Sequence, residues 1–326
     1  MKTMDLKETQ KAIKLIKDHF EKSLAETLNL IRVSAPLFVK PNSGLNDNLT
    51  GVEKAVSFKM TKYNENIEIV QSLAKWKRLA LKLYGFNIGE GLYTDMDAIR
   101  PDEVLDSTHS IYVDQWDWEK VISKEDRKEE KLVEIVKDIY NVFRETEKYI
   151  NGHYPNLFQK KLPDEITFVT SQELENIYPN INPEGRENLI TEKYGAVFIS
   201  KIGSDLKSGK PHDIRSPDYD DWNLNGDIIF WNPVTKSALE LSSMGIRVDE
   251  KTMEKQLKLA KAEHRKSLEY HRLLLNGELP YTIGGGIGQS RICMFFLEKR
   301  HIGEVQASVW TDEIIEMCRK DDIILL

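Results

Sequence analysis

The 326-residue chain has only two cysteines, Cys293 and Cys318, far apart and each in an apolar-periodic segment. That excludes a disulfide framework and a cysteine-ligated metal, both of which need clustered or regularly spaced thiols. Long hydrophobic runs are missing too, and none approaches the roughly 20 residues that cross a bilayer. The N-terminus reads Lys2, Asp5, Lys7, Glu8, Lys11, a solvated helix face where a secretory signal would place an apolar stretch. A cytoplasmic location is expected, and the sequon-like Asn48-Leu49-Thr50 carries no meaning without a secretory route. Nor is there a basic surplus. At a net charge of −7 the chain lacks the broad cationic face that releases counterions from a polyphosphate chain. Neither nucleic acid nor membrane is therefore expected as a partner. Repeats, low-complexity tracts and linkers are absent, which leaves one domain over 1–326 as the expectation.

Against these absences, 40% hydrophobic side chains suffice for a sizeable core. Ile13, Ile16, Phe20, Leu24 and Leu28 recur at helical spacing and predict a helix over about 7–28. A strand through Ile31 and Val33 follows, with Pro36 at an edge. Ser72 can cap a second helix with an apolar stripe of Leu73, Trp76, Ala80 and Leu83, which Gly85 can end. Further strands are expected at 111–118, 166–169, 196–200, 227–231 and 238–241, the last two joined as a hairpin through Asn232-Pro233. A long helix carries Leu132 to Phe143, Thr170 with Glu173 fits a capping box, and Asn182-Pro183 opens another helix. One more helix carries Met253, Leu257, Leu268 and Leu275 up to Gly277. Strands arrive singly or in hairpins, without the regular alternation of a doubly wound parallel sheet. The expected class is α+β with a mainly antiparallel sheet flanked by helices. The polar stretch from Lys201 to Asn225 reads as a lid or active-site loop.

Two segments carry candidate chemistry. In Thr282-Ile283-Gly284-Gly285-Gly286-Ile287-Gly288-Gln289-Ser290-Arg291, glycines let a strand approach a flat ligand, and the apolar run after it places Arg291 in a helix's first turn. An arginine there could stack on a purine and reach a phosphate; a tight turn with a surface arginine would read the same way. The segment lacks the Gly-Lys-Ser/Thr of a Walker loop and the third spaced glycine of a Rossmann fingerprint. From His109 to Glu119, alternation puts Val113, Gln115, Asp117 and Glu119 on one face, with Tyr112, Asp114, Trp116 and Trp118 on the other. If the first face is buried, its polar groups need partners or a zwitterionic ligand; otherwise it is a solvated edge strand.

In order along the chain, the Pro-bearing strand after a helix (Phe20 to Pro36), the arginine-led pair of strands (Arg100 to Glu119) and Gly-x-Gly-x-x-Arg before a helix resemble the three motifs of class II aminoacyl-tRNA synthetases. Ser72-Leu73-Ala74-Lys75-Trp76-Lys77 and Glu240-Leu241-Ser242-Ser243-Met244-Gly245-Ile246-Arg247 resemble substrate elements of the aspartyl and asparaginyl enzymes. Together with Asp47-Asn48-Leu49, Val113 to Trp118 and Pro217-Asp218-Tyr219-Asp220-Asp221-Trp222, the chain is most similar to the ammonia-dependent asparagine synthetases that share this core. The resemblance implies ATP-dependent amidation of L-aspartate by ammonia through a β-aspartyl adenylate, in a homodimer using Mg²⁺. It implies that Arg100 holds the α-phosphate, that Arg291 covers the adenine and reaches the terminal phosphate, and that His109, Ser110, Gly286 and Gly288 complete the nucleotide side. Asp227 and Glu240 would hold the metal, hard oxygen donors that suit magnesium. Lys77 and Arg247 would hold the carboxylate that is not activated, with Asp47, Gln115, Asp117 and Ser243 fixing the rest of aspartate. Asp220, and after it Asp47, would take the proton from ammonia. One departure is Pro101 after Arg100, with Asp102 where the synthetases usually carry Glu, which unsettles the adenine contacts around Asp102 and His109. Two rival readings are a tRNA-charging enzyme and a non-catalytic amino-acid-binding regulator. With the first motif starting at Phe20, no preceding anticodon-binding barrel is expected, and the ATP and metal residues that a regulator would lose are present.

Overall fold

The computed structural model describes residues 4–47, 49, 53–155 and 157–326, so Asn48 and Thr50 of the sequon lie outside the described residues. Helix α1 (Leu6–Leu28) starts where the Asp5 side chain accepts from the Glu8 amide at 2.8 Å, and buries the expected stripe of Ile13, Ile16, Phe20, Leu24 and Leu28. Strand β1 (Leu30–Arg32) follows. A small sheet of β2 (Phe38–Val39), β3 (Ser57–Met60) and β4 (Glu65–Ile69) then appears, largely exposed and therefore without the alternation that would betray it.

Helix α2 (Ala74–Tyr84) ends as expected at Gly85, with φ +73°, but it buries a different face. Leu83 is 67% exposed, while Lys75, Lys77 and Arg78 are at most 3% exposed. Each inward cation meets an acceptor: Lys77 Nζ donates to the Gly285 carbonyl at 2.9 Å, and Arg78 donates to the carbonyls of Val248 and Pro280 at 2.7 and 2.8 Å. Paired burial of charge is tolerated where unpaired burial is not, so apolar periodicity misjudges this helix.

Strand β5 (Gly91–Ile99) was not expected, although Leu92, Thr94, Met96 and Ala98 alternate with Tyr93, Asp95 and Asp97 across its two faces. Arg100 thus trails the first strand of its pair rather than leading it. After β6 (Tyr112–Val121) come α3 (Glu129–His153), β7 (Thr167–Thr170), α4 (Ser171–Ile177), α5 (Pro183–Tyr194) and β8 (Ala196–Ser200). The Thr170–Glu173 capping box is formed, and Asn182 caps α5 with Pro183 in its first turn. Strands β9 (Asp220–Asn232) and β10 (Ser237–Arg247) make the expected hairpin, longer than expected, so the polar loop ends before Asp220. The helix expected up to Gly277 is broken into α6 (Glu250–Leu259), a 3-10 turn (Glu263–Ser267) and α7 (Glu269–Leu275), with Lys261 at φ +54° between them. Strand β11 (Thr282–Gly288) runs into α8 (Gln289–Phe296), and α9 (Asp312–Lys320) closes the chain.

The main sheet has the order β1-β5-β6-β11-β10-β9-β8-β7 and is antiparallel except for the outer pairs β1/β5 and β7/β8. One face carries the apolar core with α1, α3 and α8, where Trp116 stacks on Phe20 at 5.0 Å between ring centroids. On the other face α2 packs on β6 and β11 while α5 packs on β9 and β10. Between them lies a polar strip of sheet. Among the described residues no helix is long and apolar enough to cross a membrane.

Candidate active site

The polar strip floors a cleft of about 480 Å³. Asp102 and Asp227 apart, every residue picked out from the sequence for substrate or nucleotide lines it. The strand alternation is borne out: Gln115 and Asp117 face the cleft, whereas Trp116 and Trp118 enter the apolar core. Asp114, which also lines the cleft, fastens the start of α8 by accepting from Ser290 N and Oγ at 3.2 and 2.8 Å, and also accepts from Lys17 and Gln306. A carboxylate there also suits the positive end of the helix dipole.

At one end of the cleft α2 projects Lys77, whose Nζ lies 3.4 Å from Asp117 Oδ1. Burial pushes the Lys77 ammonium down from its ordinary pKa, with Asp117 opposing. The second oxygen of Asp117 is buried without a partner. Arg247, at the end of β10, forks onto Glu119 at 2.7–3.1 Å and also donates to Asp220. Two of its five N–H groups stay uncommitted. Thr282 Oγ1 adds a bond to Glu119 at 2.7 Å. Burial alone would raise the Glu119 carboxyl, but Arg247 outweighs it and holds the group below its usual range. For Asp220 burial prevails over Arg247, and its pKa rises. Glu119 is thus the partner of Arg247, a role that its place on the strand face did not disclose.

The glycines of β11 serve this arrangement directly. A Cβ on Gly284 would overlap Glu119 Oε2 and lie 2.7 Å from Arg247 Nη2; one on Gly286 would lie 2.7 Å from Asp117 Oδ1. They make room for the charged floor as well as for a ligand. Gly284→Ala is therefore expected to lower stability by about 1–3 kcal/mol through overpacking, and to weaken ligand binding at this end of the cleft by prying Glu119 from Arg247. Denaturant titration and steady-state kinetics check both effects.

Asp47, in the loop before β3, is 1% exposed; its Oδ1 accepts from Leu49 N at 3.1 Å and its Oδ2 has no partner. Burial raises its pKa, Lys75 lowers it and the nearby Asp218 adds to the rise. Asp218, unremarked within the 217–222 motif, is fully buried and receives Lys75 Nζ at 3.2 Å, Arg265 Nη1 at 3.0 Å, His271 Nε2 at 2.8 Å and Ser216 Oγ at 2.7 Å. It ties α2 and α7 to the loop that carries Arg215 and leads into β9 at Asp220. That loop is otherwise clamped, with Ser208 bonded to Glu175 and His212 to Glu187. A wholesale lid motion of 201–225 is not what these bonds describe.

At the other end stand three arginines. Arg100 Nη2 donates to the Gln71 carbonyl at 3.4 Å, while its Nε is buried and unpartnered. Arg291 sits in the first turn of α8 as expected, its Nη1 donating to the Glu240 carbonyl at 2.9 Å. Arg215 was missed. It lies two residues before the quoted motif, lines the cleft, and donates to Asp227 and to Ser243 Oγ. His109 is engaged with Asp106 through Nδ1 at 2.9 Å, and Ser110 Oγ with Ser308 Oγ at 2.7 Å, so both are partly committed to their own surroundings.

Asp227 lies behind Arg215 and does not line the cleft, unlike Glu240. Burial raises its carboxyl far above the usual range; Arg215 opposes and Glu240 adds to the rise. Its Oδ1 is buried without a partner, and Ser243 is its cross-strand neighbour. Among the described residues no three carboxylate, histidine or cysteine side chains gather to ligate a metal. Two carboxylates nevertheless fit magnesium, which usually keeps several waters and takes one or two carboxylates together with substrate phosphates.

The sequence matches the aspartate-ammonia ligase family over residues 7–322. It is 62% identical over 324 residues to an aspartate–ammonia ligase of Fusobacterium nucleatum, covering 99% of this chain and 98% of the relative. Against the enzyme of the same description from Clostridium tetani it is 61% identical over 324 residues, covering 99% and 95%. The fold is that of asparaginyl-tRNA synthetase from Pyrococcus horikoshii, solved with asparaginyl-adenylate, at a TM-score of 0.66 and 13% identity over 91% of this chain and 68% of the other. The charged floor, the glycine strand and the arginines at its far end thus stand in a class II synthetase-like core, and the chain belongs to the aspartate-ammonia ligase family.

Proposed function

We propose that the chain amidates L-aspartate with ammonia at the expense of ATP. The observation that carries this is a single cleft whose ends differ. Lys77, Asp117 and Arg247 surround a space suited to a small zwitterion, and Arg100, Arg215 and Arg291 stand where a polyphosphate would lie. An oxygen of the aspartate β-carboxylate attacks the α-phosphorus, and the bond to pyrophosphate breaks. Ammonia then bonds to the acyl carbon, AMP leaves with the electron pair of the broken C–O bond, and a carboxylate takes the surplus proton. Lys77 and Arg247 bind the α-carboxylate of aspartate, the free oxygen of Asp117 takes its ammonium, and Gln115 and Ser243 orient it. Arg100 and Arg291 bear the charge on the phosphates, with His109, Ser110, Gly286 and Gly288 beside the nucleoside. Asp227 and Glu240 would hold magnesium, whose charge would offset that of the phosphates. The direct assay is release of AMP and pyrophosphate from aspartate, ATP and Mg²⁺, with and without ammonium. Turnover that required tRNA, or none, would sink the proposal.

For the proton we place Asp47 ahead of Asp220, because Arg247 occupies Asp220 while Asp47 Oδ2 is free. Asp47→Asn should slow asparagine formation by about 10²–10⁴-fold, more than it slows aspartate-dependent exchange between ATP and pyrophosphate. Asp220→Asn should slow both steps together, since it disturbs Arg247. Since burial raises the Asp47 pKa, the acid limb of the wild-type amidation rate should lie above the ordinary aspartate range near about 4, and should shift in Asp47→Glu. A selective second-step loss in Asp220→Asn alone would return that role to Asp220.

We also propose a symmetric homodimer. Strand β1 is an edge of the main sheet, and Ile31 on it is 62% exposed. Ile88, 66% exposed, lies at the same edge, where Asn29 Nδ2 donates to the Gly89 carbonyl. Such an open apolar edge favours association. Ile31→Asp should shift the chain to monomer in sedimentation velocity; an unaltered dimer would place the interface elsewhere.

A further inference from the structure

A recess of about 80 Å³ lies beside the cleft. Glu53, Arg100 and Glu103 line both spaces, so the two share a wall with Arg100 at the junction. Its volume exceeds the roughly 10–15 Å³ of such space that one water molecule needs and is far too small for an amino acid or a nucleotide. Only a few molecules of water's size fit.

The wall of this recess has unspent hydrogen-bonding capacity. Gln71 is fully buried, yet neither its Nε2 nor its Oε1 has a partner, and Arg100 Nε beside it has none either. A buried polar group without a partner costs about 1–3 kcal/mol, so such groups are normally matched by water or by a ligand. The main chain of Gln71 is fully engaged instead. Its N–H donates to Asn46 Oδ1 at 2.9 Å and its carbonyl accepts from Arg100. The residue is anchored through its backbone while its amide, donor and acceptor together, is left unpartnered in a residue that lines a guest-sized space. The outer rim is acidic: Asp102 is exposed, and Glu103 and Glu53 are half-buried.

Once aspartate and ATP fill the main cleft, ammonia needs another way to the acyl carbon. We propose that this recess is the entry site for ammonia: the acidic rim gathers ammonium, and the Gln71 amide holds neutral ammonia at the junction with the cleft. At the rim ammonium gives up one proton to solvent water and becomes ammonia. The Arg100 guanidinium repels the cation and lets the neutral molecule through. Ammonia offers three donors and one lone pair, which complements an amide that presents both a carbonyl and an NH₂ group.

The inference rests on the ligase reading, and the experiment separates the two. Gln71→Leu keeps the volume and the backbone bonds but removes the amide. The ammonium KM is expected to rise by about tenfold or more, the equivalent of one lost hydrogen bond. Exchange between ATP and pyrophosphate, which ammonia does not enter, should change by less than about twofold. Glu103→Gln, at the rim and without risk to the core, should raise the ammonium KM chiefly at low ionic strength. An unchanged ammonium KM in both variants overturns the entry site. So does parallel loss of exchange in Gln71→Leu, which would make the amide a prop for Arg100. A wild-type chain that forms no asparagine from ammonium defeats the ligase reading itself.

Discussion

Replacing Arg247 with methionine is expected to lower stability by about 3–5 kcal/mol and to cut aspartate-dependent exchange by on the order of a hundredfold or more. Arg247, Glu119 and Asp220 are all at most 4% exposed, and the guanidinium is bonded to both carboxylates. Without it two buried carboxylates face each other with only Lys77, committed to Asp117 and Gly285, and Arg215, committed to Asp227, as nearby counter-charges. The pH dependence gives the loss a signature. Arg247 holds Glu119 below its usual pKa, so its contribution is present above about pH 4.3, the unfolded value, and is lost as pH falls through the folded one. In Arg247→Met burial, the largest influence on Glu119, is opposed by Lys77 and the Thr282 hydrogen bond without the arginine; the Glu119 pKa is expected to rise, so the variant is weakest at neutral pH and recovers as Glu119 protonates. The gap between the two proteins, measured by denaturant titration, should therefore narrow on acidification toward pH 4. A gap independent of pH would mean that the loss comes from packing of the side chain rather than its charge. The double variant Glu119→Gln/Arg247→Met should regain stability without regaining aspartate binding, since a neutral pair relieves the repulsion but cannot hold a carboxylate.

That cluster also marks where the sequence stops being legible. Elements with one apolar face were readable: α1, the β9/β10 hairpin and the Thr170–Glu173 box lie where periodicity and capping chemistry put them. Elements whose buried face is polar were not. Helix α2 turns three cations inward, because each has an acceptor distant in sequence. Pairings such as Arg247 with Glu119, or Asp218 with Lys75, Arg265 and His271, span more than a hundred residues or join separate helices. Local pattern contains no trace of them. The cleft-lining residues were found through ordered motifs, which name positions without saying what each side chain is bonded to. Arg215 and Gln71 show the cost of that: one lies two residues before a quoted motif, the other one residue before Ser72, and neither has a local pattern of its own.

Arg100→Ala is expected to slow adenylate formation by about 10²–10³-fold, the effect of deleting a preorganised charge donor at a developing negative centre. The geometry argues for the upper part of that range. Among the hydrogen bonds of the described residues one weak bond, to the Gln71 carbonyl at 3.4 Å, holds the guanidinium, which leaves donors available to a phosphate. Arg291 and Arg215, in contrast, are partly spent on Glu240 and on Asp227 with Ser243. They can share the charge of the outer phosphates but not replace a free guanidinium at the α-position. Arg100→Lys should recover only part of the rate, because an ammonium keeps the charge and loses the planar fork that meets two oxygens at once. Rapid-quench measurement of adenylate formation at saturating aspartate separates these outcomes from altered binding. If Arg100→Lys restored the full rate, net charge alone would explain the residue. If Arg100→Ala were slowed by less than about tenfold, the α-phosphate role would pass to Arg215, whose guanidinium is bonded to the side chains of Asp227 and Ser243, which a metal could draw away.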